Sequence, residues 1–368
     1  MLIVVLWIMA ILSIMVLSFG QAMRVEMQIS HSYTDQLKAL ELAKSGIARA
    51  LADLTADATD YDDRDDPWYS NEETYREVPL GDGTYTLLNV RYTDDTAPSF
   101  GFTDEAAKLN LNTATREQLV WLPGMTEELA DAIVDWRDTD DVSGPQGAES
   151  DYYQSLERPY YCKNAPFETV EELLLVKGIT REVLYGEDLN RNGVLDPNED
   201  ENGDGVLNRG LIDFVTAYSQ EPEQTGRTTG SSGQQQQPQQ QQSTQGLVNI
   251  NTAPYEVLLA LLEGSEDSAR AIVDYRDSTA GISENAEWVR RAVSAQQYTR
   301  IQNLITTRSY QFRVQSIGKL TGKPVFKRIE AVIDRRSSPF KVVYWQDITH
   351  LGPPIAFEDA NGVTRNDQ

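Results

Sequence analysis

Cysteine and histidine are almost missing from this chain. Its 368 residues include one cysteine, Cys162, and two histidines, His31 and His350. One cysteine excludes an intrachain disulfide, and this inventory cannot assemble a Cys/His zinc site. A cysteine nucleophile would need one of two imidazoles far away in sequence. Bases are scarce too. The 32 Lys and Arg face 57 Asp and Glu, a formal net charge of −25. A field of that sign repels phosphate backbones, so no nucleic acid is expected as a partner. Apolar residues, at 40%, are plentiful enough for real cores, and the length leaves room for two or three domains.

The apolar residues are unevenly spread. Met1 to Phe19 reads MLIVVLWIMAILSIMVLSF, with no charge and only Ser13 and Ser18 polar. As a helix this run is about 28 Å long, close to one bilayer core. A secretory signal fits poorly. No Lys or Arg precedes the run, it is long for such a signal, and no small-x-small cleavage site follows. From Gln21 to Leu54 there is no proline, and the only glycine is Gly46. Leu37, Leu40, Ala43, Ile47, Ala50, Leu51 and Leu54 recur at helical spacing. The pattern predicts one long helix that crosses a membrane at first and packs on a sheet later.

Strand signals flank a helical middle. Val78–Leu80, the Gly81-Asp82-Gly83 turn and Thr84–Tyr92 read as a hairpin. Ser309–Val314, Val325–Asp334 and Phe340–Trp345 follow near the end, with a turn at Gly322-Lys323-Pro324. The fold class expected is α+β: a long N-terminal helix on an antiparallel sheet, interrupted by a large mainly α-helical insertion. The divisions are 1–20 for the membrane part, 21–104 and 306–368 for the two parts of the α+β domain, and 105–305 for the insertion. Within it, 223–246 carries GSSGQQQQPQQQQSTQG and is expected to be a disordered loop.

The insertion contains a repeat. Leu109-Asn-Leu-Asn-Thr-Ala114 matches Val248-Asn-Ile-Asn-Thr-Ala253, and Ile133-Val-Asp-Trp-Arg-Asp138 matches Ile272-Val-Asp-Tyr-Arg-Asp277 without a gap. Thr113 and Thr252 are the expected N-caps, with Leu119, Leu122, Leu258 and Leu261 facing inward. Phe167–Thr180 looks like a shorter relative. The pattern resembles helix-hairpin-helix modules, which often bind DNA through a glycine-rich hairpin. Here the turn is Pro123-Gly124-Met125-Thr126-Glu127-Glu128, and its counterpart is Leu262-Glu263-Gly264-Ser265-Glu266-Asp267. Acids where phosphate would approach favour a packing or protein-docking module.

The most specific chemistry lies between the copies. Asp188, Asn190, Asn192, Gly193, Val194, Asp196 and Glu199 fit the calcium-loop template at every defined position. Alternate oxygens converge because glycine permits the turn, Val194 offers its carbonyl, and Glu199 closes the shell. A second loop begins at once with Asp200, Asn202, Asp204, Gly205, Val206 and Asn208. Its twelfth residue is Leu211, and Asp213 is the nearby acid, though out of register. Seven acids and one base, Arg191, occupy Glu187 to Asp204. One calcium in the first loop and a second in the next are expected in a structural role. Back-to-back loops leave no room for EF-hand helices.

Together, the apolar start, the LELAKSGIARALADL segment at Leu40–Leu54, the Asn-x-Asn-Thr-Ala repeats and the late strands resemble the minor pseudopilin K family of type II secretion systems. The resemblance covers nearly the whole chain except the Gln-rich tract. It implies a pilin-like fold and a single-pass protein of the bacterial inner membrane, with its bulk in the periplasm. It implies maturation by a prepilin peptidase, after which the new N-terminus is methylated. No basic leader precedes Met1: either Met1 is the mature first residue, which is the favoured expectation, or the start is truncated. Most pseudopilins are expected to carry Glu at position five, where this chain has Val5. The resemblance also implies a place at the pseudopilus tip, partnership with minor pseudopilins I and J and other secretion-system components, and calcium sites in the insertion. The function expected is tip assembly in protein secretion, not catalysis. The alternative is a membrane-anchored helix-hairpin-helix DNA receptor of competence type. An anchored carboxylate enzyme has no motif that selects a pair of acids.

Overall fold

One helix, α1 (Leu2–Ala56), accounts for the first 55 helical residues. In this computed structural model, residues 1–89, 98–200, 202–222, 246–279 and 284–354 are described. The glutamine tract up to residue 245 and the final stretch of the hairpin reading (90–92) lie outside them. The first half of α1 exposes its side chains all round, from Met1 through Phe19. It is long and apolar enough to cross a membrane. The second half buries Ala39, Leu42, Ala43, Gly46, Ile47, Ala50 and Leu54.

That buried stripe is rotated from the expected one. Leu37 is exposed and Leu40 half-buried, while Ala39, Leu42 and Gly46 are inside. The reason is close approach. A Cβ on Gly46 would lie 2.8 Å from Leu87 Cδ2, and one on Gly318 would overlap the Ala39 carbonyl oxygen and the Ala43 amide. Ser316 Oγ donates to the Ala43 carbonyl at 2.7 Å. Small residues on helix and strand therefore form the seam, and large apolar residues flank it.

The sheet beneath α1 is antiparallel. Its main strands are β1 (Val78–Leu80), β2 (Gly83–Asn89), β3 (Gln311–Leu320), β4 (Phe326–Asp334) and β5 (Lys341–Asp347), in the spatial order β1-β2-β3-β4-β5. Two short strands extend it: Ser99–Phe100 pairs with β2 and Thr103–Asp104 with β3. Leu87 stands opposite Ser316, Tyr85 opposite Gly318, and Glu330 opposite Gln315. A bulge between Val332 and Ile333 shifts the β4–β5 register. Ile47, Leu54, Trp68, Tyr75, Leu87, Phe102, Phe312 and Ala331 fill the core between helix and sheet. The chain leaves this layer after Asp104 and rejoins it at Gln311, so two strands drawn from opposite ends of a long excursion lie side by side.

The excursion has its own core, built from both repeat copies. In the first copy Leu109–Asn110 pairs in parallel with Val215–Thr216; in the second, Val248–Asn249 pairs with Ile305–Thr306. Asn110 Oδ1 accepts from Asn112 N at 2.8 Å, and Asn249 Oδ1 from Asn251 N at 3.0 Å. These side-chain turns curl each segment. The carbonyls left over accept from one arginine per copy. Arg137 donates to Leu111 O and Ala114 O. Arg276 donates to Ala253 O at 2.7 Å and Ile250 O at 3.3 Å. The helices begin later than Thr113 and Thr252 would place them. Thr115 caps Arg116–Leu119 with a capping box, and Pro254 precedes Tyr255–Leu261. Thr252 Oγ1 instead donates to buried Asp104 Oδ2 at 2.6 Å. The asparagine turn occupies the residues that a cap would need. Leu119, Leu122, Leu258 and Leu261 are buried.

Candidate functional site

The acidic loop is fastened at its base before any of its acids are considered. Gly186 bridges Arg209, and Glu187 N donates to Asn208 O at 2.8 Å. A Cβ on Gly186 would run into the Asn208–Gly210 backbone, and its φ of +64° suits glycine. The loop thus leaves and returns at one point.

Inside it, backbone amides are drawn onto carboxylates. Asp188 Oδ1 accepts from Asn192 N at 3.0 Å and Oδ2 from Gly193 N at 2.8 Å. Arg191 and Gly193 take φ of +58° and +78° to make that turn. Glu199 Oε1 accepts from Asn190 N at 3.0 Å and Oε2 from Asp196 N at 3.4 Å. Asp196 Oδ2 accepts from the Asn190 and Asn192 side-chain amides at 2.6 and 3.1 Å. Val194 N donates to Asn192 Oδ1 at 2.7 Å. Asp188, Asn192 and Glu199 are buried; Asn190, Val194 and Asp196 are half-buried. Burial, together with the charges of Asp213 and Glu199, pushes the Asp188 carboxyl up to about 7, although two amides partly relieve it. Glu199 is raised by burial and by Asp196. Asn190 Oδ1 is buried with no hydrogen-bond donor. A donor-free oxygen among mutually repelling carboxylates is the environment a hard cation fits.

The second loop is more open. Asp200 accepts from Gly203 N and Gly205 N at 2.8 and 3.2 Å, Asn202 Oδ1 from Asp204 N at 2.8 Å, and Asp204 Oδ1 from Val206 N at 2.8 Å. Asn202, Asp204, Val206 and Asn208 are exposed. Asp213 sits in the buried turn Leu211–Asp213, packed into the core by Leu211 and Ile212, and shares a small cavity with Asp188 of the first loop. The acid beside the second loop is Glu187, whose Oε2 accepts from Asn208 N and Nδ2 at 2.9 and 3.1 Å. Glu187 precedes both templates in sequence, so only the closed loop base reveals it.

The first loop is tied to the sheet by buried charges. Arg191 Nη2 meets Glu330 Oε2 at 2.7 Å, and Arg313 Nη1 meets Glu330 Oε1 at 2.5 Å. Arg313 Nε also reaches Glu105 at 2.5 Å, and Gln315 donates to Glu330 at 2.9 Å. Arg328, on β4, donates to the Asn190 and Arg191 carbonyls at 2.6 and 2.5 Å. Burial alone would raise the Glu330 carboxyl, but Arg191 and Arg313 outweigh it and hold it far below its ordinary value. Burial beside Arg191 lowers Arg328 to about 9. The loop's backbone and the sheet's core are therefore one hydrogen-bonded unit.

At the hairpin turn of the first copy, Glu127 pairs with Arg116 at 3.0 Å and Glu128 with Lys177 at 3.0 Å. The nearby cations already have acidic partners, which does not favour a phosphate ligand. Met1 precedes α1, and Val5 lies exposed in its first turn.

Residues 104–185 match one family model for type II secretion system protein K, and residues 248–308 match a second. Over both stretches the chain is similar to the type II secretion system protein K family. A curated Escherichia coli (strain K12) protein, provisionally named type II secretion system protein K, is 28% identical over 182 residues. That match takes in 46% of this chain and spans about half the relative, 53% of its length. A chain in the crystal structure of the GspK-GspI-GspJ complex from the enterotoxigenic Escherichia coli type 2 secretion system superposes with a TM-score of 0.58. The likeness covers 86% of this chain and 98% of that one at 18% identity, and it establishes the shared fold. The stretches matched by the protein K models begin at or near the two repeat copies, and the acidic loop lies between them.

Proposed function

We propose that this protein is the minor pseudopilin at the tip of the type II secretion pseudopilus, where it initiates assembly and aids protein secretion across the outer membrane. The observation that carries this reading is the division of α1. One half is packed on its own sheet, and the other is apolar on every side and covered by nothing. Such a helix suits a bilayer first and neighbouring helices later, each large side chain contributing about 1.5–3 kcal/mol when buried. In this reading the helix anchors the chain in the bacterial inner membrane and the rest lies in the periplasm. Prepilin peptidase prepares the N-terminus, which is then methylated, and minor pseudopilins I and J are the partners. Val5 fits the tip. A carboxylate there is costly in a membrane unless a neighbour's amine pairs with it, and the topmost subunit has no neighbour above. The helix-hairpin-helix-like copies serve as docking modules. Co-purification of the full chain in detergent with pseudopilins I and J is the test. A ternary complex is expected, and recovery of this chain alone while I and J associate without it would overturn the reading.

The proposal includes calcium in a structural role. Asp188, Asn190, Asn192, Val194, Asp196 and Glu199 would hold one ion. Asp200, Asn202, Asp204, Val206 and Asn208 would hold a second, with Glu187 at hand. The ion supplies the positive charge that these acids need in order to stay together. At 100-fold excess over Kd, it would add about 2.7 kcal/mol, or about 3–4 °C in a chain of this size. A chelator should lower the thermal midpoint by that amount, and Asp188→Asn should remove most of the chelator's effect. Equal midpoints with and without chelator would refute calcium binding.

A further inference from the structure

The first repeat copy holds a group of acids that the second copy lacks. Asp135 and Asp138, at the end of the helix Glu127–Arg137, meet Glu149 from the loop that follows. One oxygen from each lies within 4.8 Å of the others. Asp135 is 3% exposed and Glu149 5%. Among the described residues, no Lys or Arg forms an ion pair with any of the three.

Glu149 is the decisive residue. Both of its carboxylate oxygens are buried and neither has a hydrogen-bond donor. Asp135, by contrast, accepts from Gly144 N at 3.0 and 3.1 Å, and Asp138 Oδ1 accepts from Asp140 N at 3.3 Å. The Cys162 thiol is close to Glu149 but donates to the Asp135 carbonyl at 3.7 Å. Burial pushes that thiol up to about 12, so it brings no useful charge. A further buried oxygen without a donor, Asn164 Oδ1, lies on the flank, where the Asn164 amide is held by Asp140 O and Asp141 Oδ1 at 2.8 and 2.9 Å.

The repeat supplies an internal control. The counterpart of Asp138 is Asp277, whose carboxylate meets Arg64 at 3.3 Å. The second copy thus neutralises this acid with an arginine. The first copy offers buried Glu149 in the same neighbourhood, and three carboxylates converge with no ion-paired Lys or Arg among the described residues.

We propose that Asp135, Asp138 and Glu149 form a site for a hard divalent cation, separate from the acidic loop at 188–213, and calcium is the probe of it. The donors are all hard oxygens, which disfavours a thiolate-seeking metal. The ion would fasten the loop after the helix to the helix's own end, in the copy whose hairpin is the candidate docking element.

The test uses the full chain in detergent, stripped of metal and titrated with calcium by calorimetry. The parent protein carries Asp188→Asn, Glu199→Gln, Asp200→Asn and Asp204→Asn, so both acidic loops are silent whether or not they bind. One calcium equivalent should remain. Glu149→Gln should weaken its binding at least tenfold, and so should Asp138→Asn at its half-buried position. In chelator, Glu149→Gln should melt no lower than its parent, because it removes an uncompensated charge. Calcium should then raise the midpoint of the parent and not of the variant. The proposal fails if the parent binds no calcium, or if both variants bind as the parent does. It also fails if calcium raises the midpoints of parent and variants equally. Should Glu149→Gln fold poorly, Asp138→Asn decides alone.

Discussion

Replacing Glu330 by alanine is expected to destabilise the full chain by about 3–5 kcal/mol, the usual consequence of removing one partner from a buried ion pair. Glu330 is fully buried and accepts from Arg191, Arg313 and Gln315. Without it, two guanidinium groups stay in the core, with Glu105 left as the acid beside Arg313. Urea unfolding followed by tryptophan fluorescence measures the difference. The pH dependence has a definite sign. The folded carboxyl titrates below its unfolded value of 4.5. Its stabilisation is therefore complete above about pH 4.5 and is lost as the pH falls toward the depressed folded value. The gap between wild type and Glu330→Ala should hold at neutral pH and narrow in acid. A gap independent of pH down to strongly acid conditions would mean that the carboxylate charge is not what matters there. Because Arg191 belongs to the acidic loop, the same variant should also weaken the calcium binding proposed for that loop.

The second large effect is expected at the helix–sheet seam. Gly318→Val should destabilise by about 3 kcal/mol, at the upper end for overpacking. The atoms in the way are backbone, the Ala39 carbonyl and the Ala43 amide, and no rotamer change can move them. Amide hydrogen exchange should accelerate from Ala39 to Leu54 while the sheet's own ladder keeps its protection. Gly20→Ala is the control, since nothing lies within 4 Å of its added methyl. If Gly318→Val left exchange in α1 unchanged, the seam would not be what holds the helix down.

The seam also marks the limit of what the sequence discloses. The run Met1–Phe19 and the three- and four-residue spacing after Leu37 announce a long helix with a wet and a dry face. They misplace the dry face by part of a turn. Gly46 and Ala39 contribute little to an apolar pattern, yet they sit at its centre because backbones meet there. The strands were legible from alternation and turns: Gly81–Gly83 and Gly322–Pro324 sit at the tips of the β1–β2 and β3–β4 hairpins. The repeat was legible from identity, but its helix starts were not, because the asparagine turn delays the cap to Thr115. Buried polar residues were the least readable. Arg313, Arg328 and Glu330 alternate along strands as surface residues do, and only the third dimension brings Arg191 and Glu105 to them. In the same way, the acidic-loop template names Asp188 to Glu199 from spacing alone. Asp213's place beside Asp188 rather than in its own loop's register, and Glu149, with no template around it, become visible only through their neighbours.

The side-by-side exit and return of the long excursion has a consequence for how such proteins can diversify. Thr103–Asp104 and Arg313–Phe312 are hydrogen-bonded partners, so the chain leaves and re-enters the sheet at one place. A head attached that way can be enlarged, shortened or exchanged for another without altering the spacing of the stem's strands. The stem can then keep one geometry for stacking while heads of different shape are grafted onto it.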